Sequence, residues 1–405
     1  MSADKNSQLI AIDDALSALL QAAPQSSETE VVYLEHAIGR VLAESPVAAI
    51  SVPPADNSSM DGYAIHTSAL SPQKHTSLFV SQRIPAGVAP IALLEGTAAR
   101  IFTGAEIPDG ADAVVVQEAV ELEGDNVILN SRALSGQNIR RKGQDIQAGQ
   151  IVLNKGVRLQ AVDVGVLAST GLDSVTVYRP LKVAILSTGD ELANPGELLE
   201  AGQIYNANRF VLSSLLTQMG CVPIDLGNVA DTPDAVDDAL ERAAAQADCI
   251  ISTGGVSVGE EDYVKQSVER LGQLDIWRLK IKPGKPLAFG RIGKIPFFGL
   301  PGNPASALIT FCLLARPFLL RMQGADMEAP LTLNVPAGFE HPKPGGRQEY
   351  LRARVEHGEV VVFHNQSSGM LSSASWANGL AVIPPDTVVA KGDMVSFIPF
   401  SELLG

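Results

Sequence analysis

The spacing of apolar side chains changes character several times along the chain, and each change predicts a new kind of element. Leu9, Ile12, Leu16, Leu19 and Leu20 recur at helical spacing, so residues 9–23 are predicted to form an amphipathic helix that packs on a neighbour or a second subunit. A second short helix is predicted around residues 34–42. From 78 to 129 the helical period gives way to short Val, Ile and Phe runs broken by Gly and Pro, the signature of strands. Residues 161–171 look helical again, which makes the β-rich block an insertion and the first helical domain discontinuous.

At Lys182 the pattern becomes an alternation. Strands are predicted at the start of KVAILSTGDEL and at 222–226 and 249–252, with helices at 210–219, 234–245 and 262–271. Alternation of this kind specifies a parallel sheet wrapped on both faces. A strand around Ile276 then leads to the turn IKPGKP, and a long helix begins within LPGNPASALITF. Beyond Pro330 the runs are short and β-like. The expected architecture is therefore a multidomain α/β plus β chain. Residues 1–46 and 147–178 form a discontinuous helical and dimerisation domain, 47–146 an inserted β-rich domain, 179–326 a three-layer α/β parallel-sheet domain, and 327–405 a C-terminal β-barrel-like domain.

Composition narrows the function classes. With 405 residues the chain is too long for one ordinary core, and its 46% apolar content suits a globular protein. No run is read as long and apolar enough to span a membrane, and MSADKNSQ lacks the form of a signal peptide, so a cytoplasmic protein is expected. A formal charge of −15 argues against a general nucleic-acid or anionic-membrane surface. Any anionic ligand must then rely on local basic clusters. Cys221, Cys249 and Cys312 lie far apart in apolar contexts, as buried reduced thiols do.

Candidate chemistry concentrates in loops. DCIISTGGVSVGEED runs from a strand buried on both faces into Gly254, Gly255 and Gly259, with hydroxyls at Ser252, Thr253 and Ser257 and an acidic exit through Glu260, Glu261 and Asp262. It matches neither a Walker A loop nor a dinucleotide fingerprint; the readings left are a metal or ligand loop and a Gly-rich turn before an acidic helix start. Glu191, after the first strand of this region, lies on the same edge in a parallel sheet and could converge with Asp262. In IKPGKP, Lys282 and Lys285 flank a Pro-Gly turn and suit an oxyanion, although a solvated hairpin turn reads the same. Asn303 as N-cap and Pro304 at N1 point free amides at a loop, or simply cap a structural helix. The polar loop around Asp56 and Asp61, the strand end at Thr103, and the basic run Arg140-Arg141-Lys142 before Asp145 complete the set.

Taken together, DNSSMDGYA, RIFTGAEIPDGADAVV, SGQNIRRKGQDI, STGDEL, GGVSVGEEDY, IKPGKP and GLPGNPAS resemble the molybdopterin molybdenumtransferases, the bacterial MoeA-type proteins with relatives in the E domains of gephyrin and plant Cnx1. The order holds from about Leu9 to Ile398. The resemblance implies a Mog-like α/β domain and insertion of molybdate into adenylylated molybdopterin, with release of AMP and help from Mg2+. It implies that Asp61, Thr103 and Asp145 line the cleft, that Glu191 and Asp262 hold the metal or polarise water, and that Lys282 and Lys285 neutralise oxyanion or phosphate. Gly254, Gly255, Ser257, Pro301, Asn303, Pro304, Ser306 and Arg352 would bind substrate. It further implies a homodimer sharing its sites, with contacts to the adenylyltransferase partner and to molybdoenzyme maturation proteins.

Two departures stand out: Asn206 where many relatives have aspartate, and Arg278 where some have lysine. The C-terminal match, including Arg352 and Ser373, is looser. Two other functions remain: adenylylation of molybdopterin, because the α/β domain resembles Mog-type proteins, and a non-catalytic scaffold of the gephyrin kind.

Overall fold

The computed structural model describes residues 9–71, 75–130, 132–254, 263–327 and 329–404. The first amphipathic stretch forms α1 (Ile12–Ala22), burying Ile12, Ala15 and Leu19. These residues join the main core of the α/β domain with Leu314 and Phe318, so the helix at the chain start is packed on the distant helix near residue 320. The helix expected over 34–42 is only a 3-10 turn, Leu34–His36. Gly39 adopts φ +75°, which ends helical progress there, and Val41 and Leu42 instead make bridges to Arg158 and Val177. Strand Thr29–Tyr33 pairs antiparallel with Ser174–Tyr178 along its whole length. With α2 (Ala161–Ser169), these pieces from either side of the insertion share one core around Leu42, Leu159, Leu167 and Val177.

The insertion is a six-stranded mixed sheet whose cores draw only on its own residues. Bridges Val47 to Ile151 and Val52 to Ile146 join its two connecting strands to each other.

The α/β domain carries β1 (Lys182–Thr188), β2 (Val222–Val229), β3 (Cys249–Thr253), β4 (Gly272–Arg278), β5 (Pro286–Ile292) and β6 (Ile295–Leu300), in the sheet order β2–β1–β3–β6–β5–β4. The runs Val183 to Thr188 and Cys249 to Thr253, apolar until their closing Ser-Thr pairs, are buried without a break, as a sheet covered on both faces requires. Alternate side chains serve opposite layers. Val183, Ile185 and Ile251 pack with α3 (Ala207–Gln218), while Ala184, Leu186 and Ile250 pack with α4 (Pro233–Gln246) and α5 (Tyr263–Leu271). The parallel sheet expected here carries one exception. β2, β1, β3 and β6 are parallel, and β5 alone runs against them, because β6 and β5 are linked by a two-residue hairpin around Gly293 rather than a helix; β4, antiparallel to β5, again points the same way as the parallel set.

A long helix follows β6 as α6 (Pro304–Thr310), a π segment (Phe311–Ala315) and α7 (Arg316–Met322). By length and composition this stretch could cross a membrane, contrary to the reading that no run could; 78% of it is buried in the domain core, which explains its apolarity. The C-terminal sheet is built on β7 (Gln348–Glu356). The two-residue strand Ile281–Lys282 pairs parallel with its start, so IKPGKP is not a free hairpin turn: it ties the α/β domain to the C-terminal sheet.

Candidate functional site

Three loops leave the carboxyl ends of β1, β3 and β6 and meet at Gly254. Its N–H donates to Leu300 O at 3.3 Å. A Cβ at Gly254 would stand 3.1 Å from Thr188 O, and φ is +84°, so both space and conformation require glycine there. Beneath it the Ser187 and Thr253 hydroxyls are 3.2 Å apart and buried. Gly255, Ser257 and Asp262 lie outside the described residues.

The lysine turn sits on the start of α6. Leu279 N–H donates to Lys285 O at 2.7 Å and closes the turn. Gly284, at φ +100°, faces Thr310 Oγ1 and Ser306 O so closely that a Cβ would lie 2.5 and 3.7 Å from them. Lys282 and Lys285 are exposed at the rim of this turn, while Pro301 and Ser306 are buried. Asn303 occupies the N-cap position, but its side chain makes no capping hydrogen bond, and Pro304 is at N1. The expectation of free first-turn amides is also qualified by a contact from another domain: Ala305 N–H donates to Ser368 O at 2.9 Å.

Ser368 belongs to the loop that Arg352 braces. Arg352 on β7 is 1% exposed; Nε donates to Ser373 Oγ and Nη2 to Ser367 O, each at 2.9 Å, while Nη1 is buried without a partner. Among the described residues no carboxylate pairs with it, and burial lowers its pKa to about 10. Arg352 therefore reaches α6 through Ser367 and Ser368 rather than directly.

Asp61 and Thr103 come together within the insertion. Thr103 donates to Asp61 Oδ1 from both its N–H and its hydroxyl, each at 2.7 Å, and these two bonds hold the exposed carboxylate below its usual range. Asp145 is exposed at the end of the basic loop, its N–H donating to Val52 O at 3.0 Å. Within that loop Arg141 is already paired with Asp56 at 2.6 Å, and Lys142 N–H donates to the same carboxyl at 2.8 Å. Although burial pushes Asp56 up, those two contacts prevail and keep its pKa low. Among the described residues, no core cluster joins the Asp61 and Thr103 pair to the edge bearing Glu191.

Glu191 is exposed and folds back over Gly189, where a Cβ would lie 2.4 Å from its Oε2. No cluster of three His, Cys, Asp or Glu side chains able to cage a metal occurs among the described residues. A single carboxylate at a strand end does fit Mg2+, which is commonly held by one or two carboxylates together with substrate phosphates. Glu191 would hold such an ion, whose chemistry is to neutralise phosphate oxygens.

Other participants are invisible to motif reading. Asn208 Nδ2 donates to Gly302 O at 2.7 Å and steadies the β6 loop. Asn206 caps α3 by accepting from Arg209 N–H, and its Nδ2 donates to Asn228 Oδ1 at 2.7 Å. An aspartate could not make that second bond, which accounts locally for asparagine at this position. Glu349 accepts from Lys282 Nζ. All three cysteines are buried; burial pushes Cys221 and Cys312 up to about 12 and raises Cys249 as well, so none suits a nucleophile.

Fold and site together define a multidomain protein built around an α/β domain whose strand-end edge carries lysines and a helix start suited to an anion. Residues 10–171 match the profile described as MoeA N-terminal region (domain I and II), 184–321 that of a probable molybdopterin binding domain, and 334–400 the MoeA C-terminal region (domain IV). A molybdopterin molybdenumtransferase of Haemophilus influenzae is 40% identical over 98% of this chain and all of its own length. One from a Nostoc species is 38% identical over 90% of this chain and 87% of its own. The crystal structure of the molybdopterin biosynthesis MoeA protein from Pyrococcus horikoshii superposes with a TM-score of 0.84 at 32% identity, covering 97% of this chain and 100% of that one. The chain belongs to the molybdopterin molybdenumtransferase family, the MoeA proteins.

Proposed function

We propose that the protein inserts molybdate into adenylylated molybdopterin and releases AMP, in the biosynthesis of molybdenum cofactor. The observation that carries this is the packing of the Lys282 and Lys285 turn on the start of α6, at the edge where Gly254 joins three strand-end loops. Two ammonium groups there offset the charge of an incoming oxyanion and of the pterin phosphate. The small backbone at Gly254 lets the pterin approach, and Thr103 keeps Asp61 ionised as an acceptor or base. Glu191 would hold Mg2+ there, and the ion would supply phosphate neutralisation when bound.

The protein acts as a homodimer whose sites are shared. Support comes from exposed apolar side chains on the first domain, Val31, Tyr33, Ile38 and Val162, and from a cavity of about 280 Å³ lined in part by Val31, Pro46 and the exposed Val47. A shared site also gives Asp61 of one subunit a route to Glu191 of another.

The test is reconstitution: purified protein, adenylylated molybdopterin, molybdate and Mg2+. The expected result is AMP release that depends on molybdate, with active cofactor formed. Molybdate-independent AMP formation, or none at all, would overturn the reading.

A further inference from the structure

We infer that Glu349 of the C-terminal sheet is a positioning residue for Lys282, and that this domain thereby sets the affinity of the site for its oxyanion. The inference rests on the proposed role of Lys282 as a cation of the molybdate site. In the parallel pairing, Ile281 stands opposite Gln348 and Lys282 opposite Glu349. Lys282 Nζ donates to Glu349 Oε2 at 3.1 Å. The two side chains differ sharply in setting: the carboxylate is 7% exposed and the lysine 52%.

A buried carboxylate is costly without a partner, so the contact persists in the folded protein. The surroundings enclose it further. A Cβ at Gly345 would lie 3.1 Å from Oε1, and His341 Nε2 is 3.8 Å from the same oxygen. Gln348 N–H donates to Lys280 O at 2.9 Å and Arg347 Nη1 to Ile281 O at 3.2 Å, which clamps the short strand to β7. An ammonium has three donors; one is used on Glu349 and two remain for an anion. Lysine is otherwise among the most mobile side chains, and ordering it in advance removes that entropy loss from the binding step.

The opposing effect has the opposite sign. A carboxylate 3.1 Å from the ammonium also weakens the field an anion feels. If positioning dominates, Glu349→Gln raises the molybdate KM; if charge neutralisation dominates, it lowers it. A merely structural clip between domains changes stability and leaves KM alone.

The experiment measures kcat and molybdate KM with adenylylated molybdopterin for the full chain, Lys282→Gln, Glu349→Gln, Glu349→Asp and the Lys282→Gln/Glu349→Gln double variant. Both single Gln variants are expected to raise KM by about fivefold or more, with kcat changing less. The double variant should match Lys282→Gln, because Glu349 acts through that lysine. A raised KM in Lys282→Gln with an unchanged or lowered KM in Glu349→Gln overturns the positioning role and leaves the site reading intact. A normal KM in Lys282→Gln removes the lysine from the site and the inference with it. Should Glu349→Gln not fold, Glu349→Asp keeps the charge but shortens the arm by a methylene; an unchanged KM in that folded variant also overturns the inference.

Discussion

Replacing Gly284 by alanine perturbs the lysine turn at its tightest point. The residue sits at φ +100°, and a Cβ there would stand 2.5 Å from Thr310 Oγ1 and 3.4 Å from Ile281 Cδ1. Thr310 is fully buried in α6 and β-branched, so its hydroxyl has little freedom to swing away. Holding an L-residue in such a conformation costs about 1–3 kcal/mol. Over-packing the contact adds about 1–3 kcal/mol. Gly284→Ala is thus expected to destabilise the α/β domain by about 2–6 kcal/mol.

The two contributions can be separated. Among the described residues Thr310 Oγ1 has no hydrogen-bond partner, so Thr310→Ala removes the clashing atom and loses little besides a buried methyl, about 1 kcal/mol. In the double variant the contact contribution should disappear and the backbone strain remain, so the double variant should be about 1–3 kcal/mol more stable than the sum of the two single losses predicts. Urea unfolding followed by Trp277 fluorescence reports this domain, since its ring is 5.8 Å from Phe289; a Trp376→Phe background removes the other tryptophan. Following one probe is necessary because several domains unfold. A Gly284→Ala variant within about 0.5 kcal/mol of wild type, or a double variant whose loss equals the sum of the two single losses, would refute the reasoning.

Three further expectations follow from the same geometry. Mixed dimers of an Asp61→Asn chain with a Glu191→Gln chain should recover about half of wild-type activity if sites are shared, since one site then carries both lesions and the other neither; heterodimers as inactive as either parent refute sharing. Arg352→Lys gives up the planar fork that reaches both Ser373 Oγ and Ser367 O, so it should destabilise the C-terminal domain by about 1–3 kcal/mol in urea; a loss under about 0.5 kcal/mol would show that the fork is dispensable. Native protein at pH 8 should resist iodoacetamide at Cys221, Cys249 and Cys312, which are buried with pKa values pushed upward, and react at all three once unfolded; rapid native labelling would contradict this.

What could be read from the chain alone follows from how local each signal is. Residues 183–188 and 249–253 announce strands buried on both faces because every side chain must be small or apolar there, and the helices between them show their own period. The one reversed strand was not legible, because strand direction is decided by connection length: a hairpin turn at Gly293 sets β5 against its neighbours β6 and β4 while leaving its composition unchanged. Around residue 34 apolar spacing predicts a helix, and a single glycine at φ +75° defeats it.

The site divides along the same line. Gly254, the Pro-Gly lysine turn and Pro304 are local devices, so their residue types disclose them. The contacts that fix their orientation come from 67 residues away in the case of Glu349 on Lys282, and from Ser368 in the case of the Ala305 amide. Neither partner has a motif of its own: a glutamate in a β-run and a serine in a polar loop are the commonest of residues. Both contacts come from the C-terminal domain, and both land on the anion-suited edge, one on a cation and one on a helix amide. One contact orders a positive group and the other occupies a backbone donor. Residue types on the α/β edge therefore disclose its positive charge, whereas the placement of Lys282 and the use of the Ala305 amide come from contacts with a domain whose own sequence carries no sign of them.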